Sequence, residues 1–236
     1  MKLDFRNERV LAVVAHPDDA ELLCAGTLAR AKADDAAIGI CVLCRGDKGQ
    51  TDPPLENLVE VRRNEMTAAA DLLGADLLFG EFADGELADT AETRLKLTEL
   101  YRQFRPTLVL AHWRDDYHAD HRAASALAEA VSWFAASGGW KTATSALKEP
   151  PTVWWMDTVE MLGFDPHFYI DVGRFVTLKQ QMLSCHTSQL QRGSEDDFSP
   201  LDQLMMRQCA ARGAQAGVAA AEAFRAHSVW KRTRAW

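Results

Sequence analysis

The feature of this sequence that most constrains its fold is a regular alternation of short apolar runs with longer segments of helical periodicity. Apolar runs of strand length occur at residues 10–15, 38–44, 77–79 and 108–111. Each run is followed by a segment in which apolar residues recur at helical spacing, at residues 22–32, 56–73, 93–104 and 123–134. This spacing predicts amphipathic helices, so the first part of the chain consists of repeated strand–helix units.

The last third of the chain is less regular, with predicted strands at residues 153–156 and 168–172 and predicted helices at residues 177–185 and 200–227. Repeated strand–helix units favour parallel strands with helices packed on both faces of the sheet. We therefore predict an α/β fold, a Rossmann-like three-layer sandwich with a mostly parallel central sheet. The length of 236 residues and the lack of a linker-like segment predict a single domain over residues 1–236.

The composition excludes several classes of function. The chain has 26 basic and 34 acidic residues and no long stripe of lysine and arginine, so we expect no nucleic-acid partner. No apolar stretch is long enough for a signal peptide or a membrane span, so we expect no membrane partner. Five cysteines without regular spacing fit reduced thiols and predict a cytoplasmic location. Cys41 and Cys44 are predicted to be buried on opposite faces of one strand.

An imidazole and three carboxylates follow the first predicted strand, where His16 and Pro17 lead into Asp18, Asp19 and Glu21. In a parallel sheet, ligands bind at the carboxyl ends of the strands, and the proline stiffens this turn. Two adjacent carboxylates stay ionised at low cost only beside a cation, which favours a metal site. The alternative is that Asp18 or Asp19 caps the following helix.

A second cluster follows the fourth predicted strand, between His112 and His121, and holds three of the seven histidines. His118 and His121 are three residues apart, so a helix beginning near Asp120 would turn both toward one point. Catalytic zinc takes three nitrogen and oxygen ligands and leaves one position open. His16, Asp19 and one of this pair would supply that set. The alternative is that these are surface or core histidines of a polar loop.

Both clusters resemble motifs of one family, the zinc-dependent N-acetylglucosamine deacetylases of the PIG-L/LmbE type. The matching segments are His16-Pro17-Asp18-Asp19-Ala20-Glu21 and His118-Ala119-Asp120-His121-Arg122, supported by Arg62-Arg63-Asn64-Glu65, Asp84-Gly85 and His186-Thr187-Ser188-Gln189. The chain departs from the family at residues 24–27, where many members have paired glycines, and at Ala119, where proline is usual. The resemblance covers nearly the whole chain.

The resemblance implies a metal site formed by His16, Asp19 and His121. It assigns Asp18 as the general base that takes a proton from the attacking water. The metal is expected to be Zn²⁺, and Fe²⁺ also suits two imidazoles and one carboxylate.

His118, held by Asp120, is expected to stabilise the oxyanion that forms on the substrate. Glu21 is expected to orient one of the ligand imidazoles.

Three further residues are expected to bind the substrate. In similar enzymes, the positions of Arg62 and Asp84 line the sugar site, and a guanidinium with a carboxylate can bind sugar hydroxyls. The alternative for this pair is a surface ion pair. The late histidine, His186, reaches a neighbouring subunit's site in some similar enzymes, which implies a possible homo-oligomer. A buried structural role is the alternative for His186.

The sequence therefore predicts a metal-dependent hydrolase that removes an N-acetyl group from an N-acetylglucosamine-type sugar or glycoconjugate. One alternative is a metal-dependent amidase that acts on thiol-conjugated or peptide-like amides. Another is a metal-containing sugar-binding module without catalysis, although the carboxylate of Asp18 beside the metal favours catalysis. We expect residues 51–57 and 191–199 to determine which conjugate is accepted.

Overall fold

The computed structural model describes residues 4–190 and 200–227, and these residues form a seven-stranded sheet with helices on both faces. The strands are β1 (Arg9–Val14), β2 (Ala37–Cys44), β3 (Asp76–Phe82), β4 (Leu108–Ala111), β5 (Thr152–Met156), β6 (Phe168–Asp171) and β7 (Ala221–Ala226). The helices are α1 (Asp19–Leu23), α2 (Ala25–Ala33), α3 (Leu58–Leu73), α4 (Ala91–Phe104), α5 (Ala119–Phe134), α6 (Val176–Ser184), α7 (Thr187–Leu190) and α8 (Leu201–Ala216).

The sheet has the strand order β3-β2-β1-β4-β5-β7-β6. The first five strands pair in parallel, and β7 runs antiparallel between β5 and β6. Two apolar cores cover the two faces. One is formed with α1, α2, α3, α6 and α8, and the other with α4 and α5. The predicted α/β three-layer sandwich with a mostly parallel sheet is confirmed. None of the described helices is long and apolar enough to cross a membrane.

The end of the chain differs from the sequence prediction. The helix predicted over residues 200–227 ends at Ala216, and the chain continues into strand β7. Gly217 has a φ of 72° and closes α8 in the left-handed conformation, which glycine adopts at no steric cost. The alanine-rich segment that follows has a high helix propensity, but pairing on both sides with β5 and β6 determines its conformation.

The helix predicted over residues 22–32 is divided at Cys24 into α1 and α2. The side chain of Glu222, on β7, accepts hydrogen bonds from the backbone N–H groups of Gly26 and Thr27 at 2.9 and 2.7 Å. This buried carboxylate satisfies the free donors of a new helix N-terminus and stabilises its positive end. The break therefore depends on a residue almost 200 positions away.

The two strand cysteines are buried as predicted, but they do not face opposite sides of the sheet. The register of β2 against β3 shifts between Val42 and Cys44, which marks a β-bulge. The extra residue lies on β3, and on β2 the residues Cys41, Leu43 and Cys44 all pack in the core under α4 and α5. All five cysteines are free thiols.

Candidate active site

The two predicted clusters meet at one edge of the sheet because β1 and β4 are neighbouring parallel strands. Val13 of β1 lies opposite Ala111 of β4, so the two strands end side by side. The turn that begins at His16 and the segment that begins at His112 therefore leave the sheet at the same place. Helix α5 begins at Ala119, earlier than the predicted start at residue 123, so His118 and His121 lie at its first turn.

Two imidazoles at this edge are each held by a buried carboxylate. His16 Nε2 lies 3.0 Å from Asp120 Oδ2, and His121 Nδ1 lies 3.0 Å from Asp116 Oδ1. Histidines that bind a metal commonly use one ring nitrogen for the metal and the other for a carboxylate, which fixes the tautomer and the ring orientation. Asp116 was not among the residues predicted from the sequence.

The other nitrogens of these imidazoles are turned toward Asp19. His16 Nδ1 lies 3.6 Å from Asp19 Oδ2, and His121 Nε2 lies 3.3 Å from Asp19 Oδ1. Asp19 and His121 are buried, and the side chain of His16 is 13% exposed. Two imidazole nitrogens and a carboxylate that converge in this way are a donor set suited to Zn²⁺ or Fe²⁺. The predicted ligand residues therefore fit a divalent cation.

The same contacts change the proton affinity of these groups. Burial lowers the pKa of His16, but hydrogen bonds with Asp120 and Asp19 raise it to about 10. Burial also lowers the pKa of His121, while the charge of Asp19 and the hydrogen bond with Asp116 raise it to about 9. The buried carboxylates are thus balanced by imidazolium protons. A cation that binds here would displace protons, because a histidine ligand must be neutral.

His112 also belongs to this site, and the sequence analysis did not assign it a role. Its Nε2 accepts a hydrogen bond from the backbone N–H of Ala15 at 3.0 Å and lies 3.3 Å from Asp19 Oδ2. Its ring stacks on that of His121, with the ring centroids 4.0 Å apart. Burial and the nearby His121 lower the pKa of His112. The sequence signal that could have identified His112 as a site residue is its position directly after β4.

Several sets of side chains at this site have potential metal-ligand atoms close to one another. Within the described part of the chain, three groups of residues have ligand atoms within 4.8 Å of one another. They are His16 with His118 and His121, His16 with Cys44 and Asp120, and Asp19 with His112 and His121. His16 or His121 takes part in every group. The predicted set of His16, Asp19 and His121 is not itself one of these groups, because His16 shares a group with His121 and Asp19 shares another with His121.

Asp18 has a strained backbone at the start of α1. Its φ is 101°, in the left-handed region, and its side chain makes no capping hydrogen bond. Asp18 Oδ2 instead accepts a hydrogen bond from Arg62 Nη2 at 3.0 Å. The capping alternative is therefore wrong for Asp18. Burial raises the pKa of this carboxyl, and the charge of Arg62 opposes that shift. A strained, charge-paired carboxylate at the mouth of a site is typical of a functional group.

His118 is the N-cap residue of α5, and its Nδ1 accepts a hydrogen bond from the backbone N–H of Asp120 at 3.1 Å. The carboxylate of Asp120 bonds to His16 and to the N–H of Gly85, which corrects the predicted pairing with His118. Burial and the neighbouring charges of His16 and His121 lower the pKa of His118. A neutral His118 that accepts at Nδ1 carries its proton on Nε2.

Two of the predicted substrate-binding residues hold the protein's own backbone. Arg62 is buried and donates from Nη2 to the carbonyl of Pro17 as well as to Asp18. Asp84 accepts from the backbone N–H groups of Gly46 and Lys48 at 2.8 and 3.1 Å. The alternative of a surface ion pair does not fit, because both side chains are buried. Contact with a substrate stays a prediction for this pair.

The third predicted residue, His186, lies behind the turn formed by residues 16–21. Its Nε2 is 3.5 Å from Glu21 Oε2, and both side chains are fully buried. Glu21 thus lies against His186 rather than against one of the ligand imidazoles. Glu65 fixes the segment after His186, because it accepts from the hydroxyl and the backbone N–H of Ser188 at 2.7 Å each. Residues 191–199, expected to influence specificity, lie outside the described residues.

Comparisons with known proteins find a matching family and matching folds. The family described as PIG-L, GlcNAc-PI de-N-acetylase, matches residues 11–132. A conserved protein of Thermus thermophilus is 31% identical, with a TM-score of 0.81 over 97% of this chain and 100% of that protein. The N,N'-diacetylchitobiose deacetylase of Pyrococcus horikoshii is 23% identical, with a TM-score of 0.81 over 93% of this chain and 84% of that protein.

A curated relative has a different activity. The 4-oxalmesaconate hydratase of Pseudomonas putida is 27% identical over 165 residues, which are 66% of this chain. The same residues are 60% of the hydratase, so the match spans less than two thirds of that relative.

Proposed function

Because this chain belongs to the PIG-L family of GlcNAc-PI de-N-acetylases, we propose that it removes the N-acetyl group from an N-acetylglucosamine-type sugar or glycoconjugate in a metal-dependent reaction. The observation that carries the proposal is the position of Asp18, a strained carboxylate with a side chain 13% exposed that directly precedes Asp19 in the turn and accepts a hydrogen bond from Arg62. A site that only binds a metal has no use for this additional carboxylate.

His16, Asp19 and His121 are the residues that would hold the cation, with Zn²⁺ as the expected metal and Fe²⁺ as the alternative. When bound, the cation supplies Lewis-acid polarisation of the amide carbonyl and makes the attacking water more acidic. Asp120 and Asp116 hold the outer nitrogens of the two imidazoles. Their contribution is to keep both rings oriented before the cation arrives.

Asp18 acts as the general base. The hydrogen bond from Arg62 keeps one carboxylate oxygen in place and favours the ionised form, which is the form that can accept a proton from water. Burial works in the opposite direction and makes the carboxylate more basic than an exposed one. The protonated Asp18 can then give its proton to the amine that leaves.

His118 acts on the oxygen of the scissile amide. Its Nδ1 is occupied by the backbone N–H of Asp120, so Nε2 carries the proton of the neutral ring. This N–H is fixed in direction by the helix N-terminus and can donate to the negative charge that develops on the carbonyl oxygen. His118 is partly exposed, as a group that meets a substrate must be.

The substrate class is inferred from the family and from the deacetylase that shares this fold. The proposed substrate is an N-acetylated amino sugar carried on a second group, and Arg62, Asp84 and His186 shape the site around it. We also propose that the protein forms a homo-oligomer, as the family resemblance implies. A cytoplasmic location is proposed as well, because all five cysteines are free thiols.

A hydratase is the second candidate, because a curated relative is a 4-oxalmesaconate hydratase. A cation-bound water and a general base are also groups that can add water to a carbon–carbon double bond, so the same residues could serve this reaction. The two reactions differ in their products, since only deacetylation releases acetate.

The test measures metal content and acetate release on the same purified protein. The wild-type chain is incubated with a panel of N-acetylated sugars, with a peptide-like and a thiol-conjugated amide, and with 4-oxalmesaconate, before and after chelation. Metal-dependent acetate release from the sugars alone supports the proposal. Turnover of the other amides alone supports the amidase alternative, and loss of 4-oxalmesaconate alone supports the hydratase. Bound metal with sugar binding but no turnover supports the binding module.

A further inference from the structure

Cys44, the last residue of β2, lies beside the turn that follows β1. Its backbone N–H donates to the carbonyl of Ala15 at 2.7 Å, so the two parallel strands stay paired up to the residue before His16. The side chain of Cys44 is buried, and its sulfur lies within 4.8 Å of a ligand atom of His16 and of one of Asp120. The proposed reaction gives this thiol no role.

Two of the three donor groups at this edge of the sheet have no residue in common. One group consists of His16, Cys44 and Asp120. The other consists of Asp19, His112 and His121. A hydrolytic metal centre needs three protein ligands and one open position, so these donors exceed what a single cation requires. The site therefore has enough donors for two cations at once.

Two cations at this site would compete for the ring of His16. Nε2 of His16 lies 3.0 Å from Asp120 Oδ2, on the side of the group that contains Cys44, whereas Nδ1 lies 3.6 Å from Asp19 Oδ2. A neutral imidazole carries its proton on one nitrogen and has a free lone pair on the other. His16 can therefore bind a cation beside Asp19 or a cation beside Asp120, but not both. In the second case, Asp19 and His121 lose the third ligand of the proposed catalytic set.

The donors around Cys44 suit a cation that prefers sulfur. A thiolate, an imidazole nitrogen and a carboxylate oxygen are ligands of Zn²⁺, whereas Mg²⁺ and Ca²⁺ take oxygen ligands. The carboxylates of Asp120, Asp84 and Asp19 lie close enough to Cys44 for their charges to act on its thiol. Their negative potential attracts a cation. The side chain of His16 is 13% exposed, which gives the cation a route from solvent.

We propose that His16, Cys44 and Asp120 form a second cation site that takes Zn²⁺ or Cd²⁺, and that filling it withdraws His16 from the proposed catalytic set. When the cation binds, the S–H bond of Cys44 breaks, the proton passes to solvent, and the thiolate forms a bond to the cation. No electron is transferred, so the step needs no oxidant. The site itself does not depend on the proposed deacetylation, and only its effect on turnover does.

The test titrates Cd²⁺ into metal-depleted protein and follows the ultraviolet charge-transfer absorption of a cadmium–thiolate bond. The wild type should bind two equivalents, and the absorption should grow with one of them. Cys44→Ser should lose this absorption and bind that equivalent at least about tenfold more weakly, because a hydroxyl is a poor ligand for a soft cation. Cys44→Ala should lose the absorption as well, which shows that the new hydroxyl is not the cause. Circular dichroism checks that both variants fold.

Cys41→Ser is the matched control. Cys41 lies on the same strand and in the same core as Cys44, but it belongs to none of the donor groups. This variant should bind both equivalents with the full absorption. Cadmium on the less buried Cys185 would give a signal that persists in every variant. An absorption in Cys44→Ser equal to that of the wild type, or a wild type that binds a single equivalent, would overturn the proposal.

Excess Zn²⁺ provides a second readout, on turnover. Acetate release by the wild type should fall as the second equivalent binds, whereas Cys44→Ser should need at least about tenfold more Zn²⁺ for the same loss. Equal inhibition of the two proteins would show that the site does not withdraw His16. If the protein releases no acetate under any condition, the proposed function fails, while the cadmium titration still decides whether the second cation site exists.

Discussion

At the scale of single residues, the most informative position is Asp18, because its backbone conformation and its partner Arg62 both hold its side chain away from the start of α1. The left-handed backbone turns its side chain away from the capping position of α1, and the guanidinium of Arg62 receives it. A carboxylate that capped the helix would have its lone pairs on backbone N–H groups. The strain thus leaves the carboxylate of Asp18 without a capping hydrogen bond, as the proposed general base requires.

We predict that Asp18→Asn retains metal and loses between about 10² and 10⁴ of the wild-type turnover, because an amide cannot accept the proton from water. Asparagine tolerates the left-handed conformation, so the backbone should not change. Asp35→Asn is a matched control, since Asp35 is exposed and has a φ of 65°. Metal content and acetate release are measured on both variants. Normal turnover in Asp18→Asn would show that another group is the base.

A second prediction concerns Asp116, which contacts no predicted substrate group but holds His121 Nδ1 at 3.0 Å. Asp116→Ala should weaken zinc affinity about 10- to 100-fold, because the ring of His121 loses its orientation and the basicity that a carboxylate provides. The neighbouring Asp115 is exposed, so Asp115→Ala should keep the wild-type affinity. Competition with a chromophoric chelator measures both affinities. Equal affinities in the two variants would assign Asp116 to folding alone.

At the scale of secondary-structure elements, α4 is tied to the loop that follows α5 by Glu99. Its carboxylate accepts from the hydroxyl of Thr144 at 2.6 Å and from the Thr144 backbone N–H at 3.0 Å. These hydrogen bonds lower the pKa of Glu99 from 4.5 to about 2. Because the folded protein holds the ionised form, the stabilisation is present above pH 4.5 and is lost as the pH falls from there toward 2.

We predict that Glu99→Gln lowers the free energy of unfolding at pH 7 by about 0.5 to 1 kcal/mol, a small value because solvent screens this carboxylate. The difference from the wild type should shrink between pH 4.5 and pH 2. Glu56→Gln, at an exposed position, should show no difference at either pH. Urea unfolding monitored by circular dichroism measures these values. A difference that stays constant as the pH falls would contradict this interpretation of Glu99.

Most elements could be predicted from the sequence, since their patterns are local. Strand β4, residues 108–111, and helix α3, predicted at residues 56–73 and observed at Leu58–Leu73, are examples. The errors occurred where a distant residue decides the local structure. The break between α1 and α2 depends on Glu222, and β7 depends on its two neighbouring strands.

The same distinction applies to the candidate site. The approach of His16 and Asp19 to the pair His118 and His121 could be predicted, because it follows from which segments leave the ends of neighbouring parallel strands. The choice of His121 over His118 as the ligand came from the family resemblance and stays a prediction. The carboxylate that pairs with each imidazole could not be predicted from the sequence, because the pairing depends on the directions of side chains in the loop before α5. Asp120 therefore received the wrong partner in the sequence analysis, and Asp116 received none.

At the scale of the whole molecule, one buried ion pair joins the early helices α1 and α2 to the late elements α6 and β7. Lys179 Nζ, on α6, lies 2.5 Å from Glu222 Oε1 on β7 and donates to the carbonyl of Leu22 at 3.0 Å. Burial alone would lower the pKa of Lys179, but the charge of Glu222 raises it, so the lysine is charged. Since Glu222 also accepts from the N–H of Gly26 at the start of α2, these contacts connect α6 and β7 to α1 and α2, the helices that follow β1.

Removing one member of this pair should therefore destabilise the whole domain. We predict that Lys179→Met lowers the free energy of unfolding by about 3 to 5 kcal/mol, because the charge of Glu222 stays buried without its partner. Adding Glu222→Gln should recover part of the loss. Lys48→Met provides the control, since the Lys48–Glu86 pair is 56% and 69% exposed and should contribute less than about 1 kcal/mol. Urea unfolding measures the free energy of unfolding of the wild type and of the three variants. If Lys179→Met loses no more of it than Lys48→Met, the buried pair does not hold α6 and β7 against α1 and α2.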